Sequence, residues 1–259
     1  MGEGVEVREA SSLEDVQAVA ALLERVWGKK DLLTADLLRA LSAHGNPVLA
    51  AFRQGRMVGA QVGFVALEGW RIDLHSYVTG VLPGLEHRGV GFRLKVAQRE
   101  WCLARGIGTV TWTFDPLLAR NAHFNLRKLG ATATGFLRNF YGPMTDALNA
   151  GDRSDRLRLD WHLRSSRVEA AVAGRPEPVD PSGALVVLDE EGGLPRPAPA
   201  AGERLLIRVP PDYAALRRDD PRAASAWRDA VAEAFEAAFA AGHRAVDFTR
   251  EGGYVLERR

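Results

Sequence analysis

The chain has 259 residues, 46% hydrophobic and 26% charged, the make-up of an ordinary globular protein with one large or two modest domains. Thirty-four basic against thirty-three acidic side chains leave a net charge of +1, divided as +3 over residues 1–150 and −2 over residues 151–259, which excludes the footprint of a general nucleic-acid or anionic-membrane binder. The single cysteine, Cys102, excludes an internal disulfide and a cysteine-rich zinc module; with no charged-then-apolar leader after Met1 and no apolar run of ~20 residues, a cytoplasmic location is expected.

Val5 to Arg8 reads as a short strand, and Ser11 with Glu14 has the reciprocal spacing of a capping box that opens a helix. In that helix Val16, Val19, Leu22, Leu23, Val26 and Trp27 recur every three or four residues and form one apolar face. Thr34 caps a second helix through Leu37, Leu38 and Leu41 that ends at His44-Gly45. Pro47 to Phe52 and Met57 to Leu67 are β-like runs around a glycine-containing turn, the pattern of a hairpin. Leu74 to Val81 is a further strand leading into Pro83-Gly84. A helix follows from Val90 to Ala104, ended by Gly106, and Thr109 to Phe114 alternates as a strand. This is a βαβ unit, which places its loop at the carboxyl end of the first strand.

Asn121 to Lys128 is a short helix stopped by Gly130, with strands expected at Ala133 to Phe140 and Leu157 to Leu163. A first domain is therefore expected over residues 1–165. Pro176, Pro178, Pro181 and the stretch Pro195 to Gly202 make residues 166–202 a proline-rich linker and loop region with a short strand. Residues 203–259 resume as an α/β region: strand Leu205 to Val209, helix Ala223 to Ala241, and strands Ala245 to Thr249 and Tyr254 to Glu257.

The chemistry concentrates in Glu86-His87-Arg88-Gly89-Val90-Gly91, between a strand and a helix. Glycines there let backbone amides converge, the helix adds its partial positive charge, and Arg88 adds a forked cation, so the loop suits an anion such as a pyrophosphate. Two named loops are excluded. Leu94 stands where a dinucleotide fingerprint needs its third glycine, and no lysine with a hydroxyl residue completes a nucleoside-triphosphate loop.

From Val81-Leu82-Pro83 through Arg88-Gly89-Val90-Gly91 to Leu94 the chain resembles the acetyl-CoA signature of the GNAT acetyltransferase superfamily. The resemblance takes in the two amino-terminal helices, the hairpin, the βαβ order and the Lys128-Leu129-Gly130-Ala131 turn, over roughly residues 5–163. It implies a mixed, splayed α/β sheet flanked by helices and followed by a smaller α/β region. It further implies acetyl-CoA as cosubstrate, an amine as acceptor and no metal. By this resemblance Val81, Leu82 and Pro83 end the splayed strand that pairs with the pantetheine arm, and Arg88, Gly89, Val90 and Gly91 wrap the pyrophosphate. Glu86 replaces the family's usual glutamine or arginine, Phe92 replaces a small or hydroxyl residue, and Arg93 compensates. Leu126 occupies the place of the tyrosine that protonates the leaving thiolate. Asn121 falls two residues later than the family's cofactor-facing asparagine, with Ala119 at the matching spacing.

Asp73, His75 and Tyr77 alternate along the incoming strand and so share one face, where the family often places its general base; His75 has the intrinsic pKa suited to neutral pH. Tyr141 is the substitute acid. The six histidines show no paired metal-ligand spacing, and Cys102, mid-helix beside Trp101, reads as packing. The tail repeats the strand–Pro–helix–strand outline with Arg217-Arg218-Asp219-Asp220 in place of the glycine loop. It is either a degenerate GNAT-like half or a generic α/β extension, expected to wall the acceptor cleft or to form a homodimer interface. The sequence thus points to an acyl-CoA-dependent N-acyltransferase, with a catalytically degenerate CoA-binding protein as the alternative. Neither nucleic acid nor membrane is expected as a partner.

Overall fold

A computed structural model describes residues 4–85, 88–144 and 151–258. As far as β5 the elements form where the pattern places them. In order they are β1 (Val5–Glu9), α1 (Leu13–Trp27), α2 (Ala35–Ala43), β2 (Val48–Arg53), β3 (Arg56–Glu68), β4 (Arg71–Val81), α3 (Val90–Leu103) and β5 (Thr109–Phe114). The chain divides into two compact units, Met1–Trp112 with Thr145–Gly151 and Thr113–Met144 with Asp152–Arg259, so the division falls inside β5.

In the first unit the strand order is β1-β2-β3-β4-β5, antiparallel as far as β4 and parallel from β4 to β5, with α3 as the crossover. The alternation of β2 separates two cores. Val48 and Ala50 pack with Val16, Val19, Leu23 and Leu38 of α1 and α2, whereas Leu49 and Ala51 pack with Val90 and Leu94 of α3. Two glycines set the helix distances. A Cβ on Gly59 would stand 2.9 Å from Val90 Cγ1 and 3.2 Å from Leu94 Cδ1, and one on Gly80 would stand 2.9 Å from Leu23 Cδ2 of α1. The helix N-cap is Ser12, one residue past the expected Ser11: its hydroxyl accepts from the Asp15 amide, and Arg8 occupies the Asp15 carboxylate. Glu14 is left in the first turn, so the reciprocal pair is Ser12 with Asp15, whose carboxyl also takes a backbone hydrogen bond from Ser12, and not Ser11 with Glu14.

The decisive irregularity is in β4. Val62 pairs with Val78 and Gly63 with Ser76, which leaves Tyr77 as the extra residue of a β-bulge. Within this unit β4 meets β5 only at Leu74↔Val110 and His75↔Thr111, and from Ser76 onward β4 leaves β5. The sheet splays at that rung.

The second unit contains α4 (Ala119–Ala122) running into a π-helical turn (His123–Lys128), then β6 (Thr132–Leu137), β7 (Arg156–His162), α5 (Ser166–Val172), β8 (Leu185–Glu191), β9 (Leu194–Pro197), β10 (Arg204–Arg208), α6 (Tyr213–Asp219), α7 (Pro221–Ala240), β11 (His243–Phe248) and β12 (Gly253–Arg258). Their strand order is β7-β6-β11-β12-β10-β8-β9. Residues 113–165 therefore share a sheet with the tail through Ala133↔Ala245, and Arg167 of α5 donates to the carbonyl of Val246 at 2.7 Å.

Residues 166–202, expected as linker and loop with one short strand, hold a helix and a two-strand hairpin. Pro195 and Pro197 are accommodated because β9 is the edge strand, where a missing N–H costs no ladder bond. The tail's outline also differs from β4-α3-β5 in its topology. β10 and β11 are separated by β12, whereas β4 and β5 are neighbours.

Candidate functional site

The β4–α3 connection is built from successive turns. The Leu82 amide continues the ladder to Val58 O at 3.0 Å, Leu85 N then donates to Leu82 O, and Arg88 N to Leu85 O. Gly89 is the N-cap of α3 at φ 76°, ψ 5°, left-handed backbone that glycine adopts without strain. It offers no side chain to the first turn, and no acidic residue stands there. The leading amides of α3 thus lack a side-chain cap and keep their partial positive charge, the arrangement that binds anions.

Around this terminus Val81 is half-buried with Leu85 against Val90 and Leu94, Leu82 packs toward the α1 core, and Pro83 is exposed. Arg88 and Arg93 are exposed, while Gly91 and Phe92 are half-buried and Val90 is buried. Glu86 lies outside the described residues. Asn121 is exposed on α4, in the second unit.

The expected base candidates separate. The Asp73 carboxylate is 1% exposed and takes three hydrogen bonds from Arg71, at 2.7, 2.9 and 2.7 Å. Both oxygens thereby accept from Arg71. His75, half-buried, stands at the last β4–β5 rung, where its Nδ1 is 3.2 Å from Thr111 Oγ1 and its ring is 5.1 Å from that of Phe64. Tyr77 is the bulge residue, so its place beside His75 rests on the bulge and not on simple alternation; Phe64 lies 6.2 Å from it. The exposed Tyr141 is in the second unit, its hydroxyl 3.3 Å from Thr113 Oγ1 and its ring 5.4 Å from the Arg156 guanidinium. Leu126 is fully buried. Cys102 is buried as well, and burial pushes its thiol up to about 12, an unreactive state.

Sequence reasoning missed a buried polar cluster on the α3 face of the same splay. Lys95, 4% exposed, donates to Ser76 Oγ at 2.8 Å and to Gln98 Oε1 at 3.4 Å, and its ammonium is 3.9 Å from the Trp112 ring centroid. Gln61 donates to the same Ser76 hydroxyl at 3.1 Å. The signal was available in the spacing, since 94, 95, 98, 101 and 102 form one stripe on a helix and Lys95 falls inside it.

Among the described residues no group of three or more His, Cys, Asp or Glu is placed to hold a metal ion, and no helix is long and apolar enough to cross a membrane. No family model and no curated protein matches the sequence. Solved structures do match in fold. The ribosomal-protein-S18-alanine N-acetyltransferase from Escherichia coli is similar with a TM-score of 0.51 at 15% identity, over 62% of this chain and 96% of that one. An N-acetyltransferase from Staphylococcus aureus Mu50 gives 0.50 at 16% identity, over 62% and 100%. An acetyltransferase of the GNAT family from Streptococcus pneumoniae gives 0.49 at 19%, over 60% and 97%. With its bulged β4, splayed β4–β5 pair and crossover helix, the chain shares over about 62% of its length the fold of these two N-acetyltransferases, from Escherichia coli and Staphylococcus aureus.

Proposed function

We propose that the protein is an acyl-CoA-dependent N-acyltransferase that moves an acetyl group from acetyl-CoA to an amine. The observation that carries this reading is the juxtaposition, in one unit, of an uncapped α3 terminus with the strand that leaves its neighbour just before it. The amides of α3 and the exposed Arg88 suit a pyrophosphate, and β4 from Ser76 to Val81, free of β5 in this unit, suits the extended pantetheine arm. Acetyl-CoA supplies the acyl group as a thioester. His75 is the base: it stands at the apex of the splay, half-buried, and its imidazole can take the proton lost by the amine. Phe64 and Tyr77, exposed beside it, form an aromatic wall suited to a cationic amine. Asp73, held by Arg71, is the second base candidate. Tyr141 is the donor the sequence suggested, and it is tested below. A cytoplasmic setting, which keeps thiols reduced, goes with this chemistry.

The test is release of free thiol from acetyl-CoA with a panel of small amines and peptide amino termini. Acceptor-dependent release that falls at least about 10²-fold in His75→Ala supports the reading. Acetyl-CoA binding with no turnover on a broad panel supports the alternative, a CoA-binding protein without catalysis.

A further inference from the structure

Lys95 is a buried amine with no acidic partner. No carboxylate among the described residues pairs with it, and taking an ammonium out of water is costly. A methionine of similar length would fill the space without that cost, so packing does not account for the lysine.

Two facts locate its ammonium. Ser76 is the first residue of β4 and Trp112 the first of β5 beyond the last shared rung, and the Lys95 Nζ touches both, so it sits at the apex of the splay on the α3 face. His75 precedes Ser76 and projects to the opposite face. Beside Nζ, Gln98 Nε2 and Gln61 Oε1 are buried without partners, a donor and an acceptor that nothing in the unit satisfies. Base and ammonium therefore flank one point of the sheet from its two sides.

We propose that Lys95 is the proton donor to the departing CoA thiolate, the task that Leu126 leaves without a side chain. The inference rests on the acyl-transfer reading above. As the amine nitrogen bonds to the acyl carbon from the His75 face, the carbon–sulfur bond breaks and its electron pair passes to sulfur. A Lys95 Nζ proton follows that pair, giving the free thiol and a neutral lysine. His75 takes the proton lost by the amine, and exchange with water restores both residues.

The titration of Lys95 fits this task. Burial pulls the Lys95 ammonium down to about 7, with Cys102 on the same helix acting weakly the other way. β3, β4 and β5 present Gln61, Ser76 and Trp112 to it, while Asp73 and His75 lie on the far face. A thiol near about 8.5 takes a proton from such a donor favourably.

The experiment compares the parent, Lys95→Met and Tyr141→Phe. Acetyl-CoA affinity is measured by calorimetry, and kcat for thiol release is followed across the neutral pH range. The parent is expected to lose activity as pH rises through the Lys95 titration. Lys95→Met should lower kcat about 10²-fold and abolish that alkaline descent while leaving acetyl-CoA affinity unchanged. Tyr141→Phe should retain the descent. A Lys95→Met variant with the parent's kcat or descent, or loss of the descent in Tyr141→Phe, overturns the proposal. The chain has only four lysines, so ¹³Cε-lysine spectra of the parent give a second reading that needs neither variant nor turnover. One resonance should titrate near neutrality and move on acetyl-CoA binding; four resonances at the ordinary value of about 10.4 overturn the assignment. Failure of the acyl-transfer reading has a different signature: the parent either binds no acetyl-CoA or binds it without acceptor-dependent thiol release.

Discussion

Arg228→Met should be among the most damaging single changes in the second unit. Arg228, on α7, is 3% exposed and donates to both Asp115 oxygens at 2.7 and 2.8 Å and to Asp152 at 2.5 Å; Tyr213 completes the Asp152 shell at 2.9 Å. Removing the guanidinium leaves two carboxylates out of water without their main cation, a loss of about 3–5 kcal/mol. At about 2–4 °C per kcal/mol for a chain of this size, the Tm falls by on the order of 10 °C. Calorimetry at neutral pH reads it, and Arg228→Met with Asp115→Asn should recover part of the loss by removing one stranded charge. The pH dependence has a definite sign. Burial works to raise Asp152, but the hydrogen bond and charge of Arg228 outweigh it and hold the carboxyl below its ordinary value. The resulting stability is present above the unfolded carboxylate pKa of about 3.9 and is lost as pH falls through the depressed folded value. Arg228→Met should flatten that acid limb. A Tm within error of the parent's, or a double variant less stable than the single, would refute the reasoning.

Two further substitutions probe the site's frame. Leu126→Tyr, which restores the tyrosine of the resembling family, should add no turnover and cost about 1–3 kcal/mol, because that position is fully buried; thermal melts and thiol release measure both. Gly59→Val should push the first turns of α3 off β3, since even a Cβ would stand 2.9 Å from Val90, and should weaken acetyl-CoA binding by about tenfold for each 1.4 kcal/mol of displacement cost. Calorimetry showing parental affinity in folded Gly59→Val would contradict the idea that this glycine seats the loop.

Local rules made much of the first unit legible. The span of β5 and the start of α3 follow from alternation and from the glycine before Val90, and both stand where they were expected. Thr34 caps α2, accepting from the Leu37 amide. What local rules could not supply was anything set by pairing. The β4 bulge depends on the register with β3, so Tyr77 could not be placed from β4 alone. The pairing of Asp73 with Arg71, two residues away on the same strand, appears only in the folded hairpin. The proline-rich stretch read as linker because proline opposes a central strand; that it forms an edge is a property of the sheet. Lys95 was hidden by its own charge, although its position on the buried stripe of α3 was countable.

The central claim, that acetyl-CoA is held by the backbone at the start of α3, is tested most directly by calorimetry of acetyl-CoA with the parent and with Gly89→Asp. Aspartate tolerates positive φ better than most residues, so the Gly89 backbone at φ 76° survives the change. The added carboxylate meets the pyrophosphate where only amides stood. One tight equivalent per chain in the parent, lost in a Gly89→Asp variant with the parent's far-ultraviolet spectrum, is the result predicted. Unchanged affinity in that folded variant, or a second tight equivalent that survives in it, would contradict the assignment of a single cofactor site to this loop.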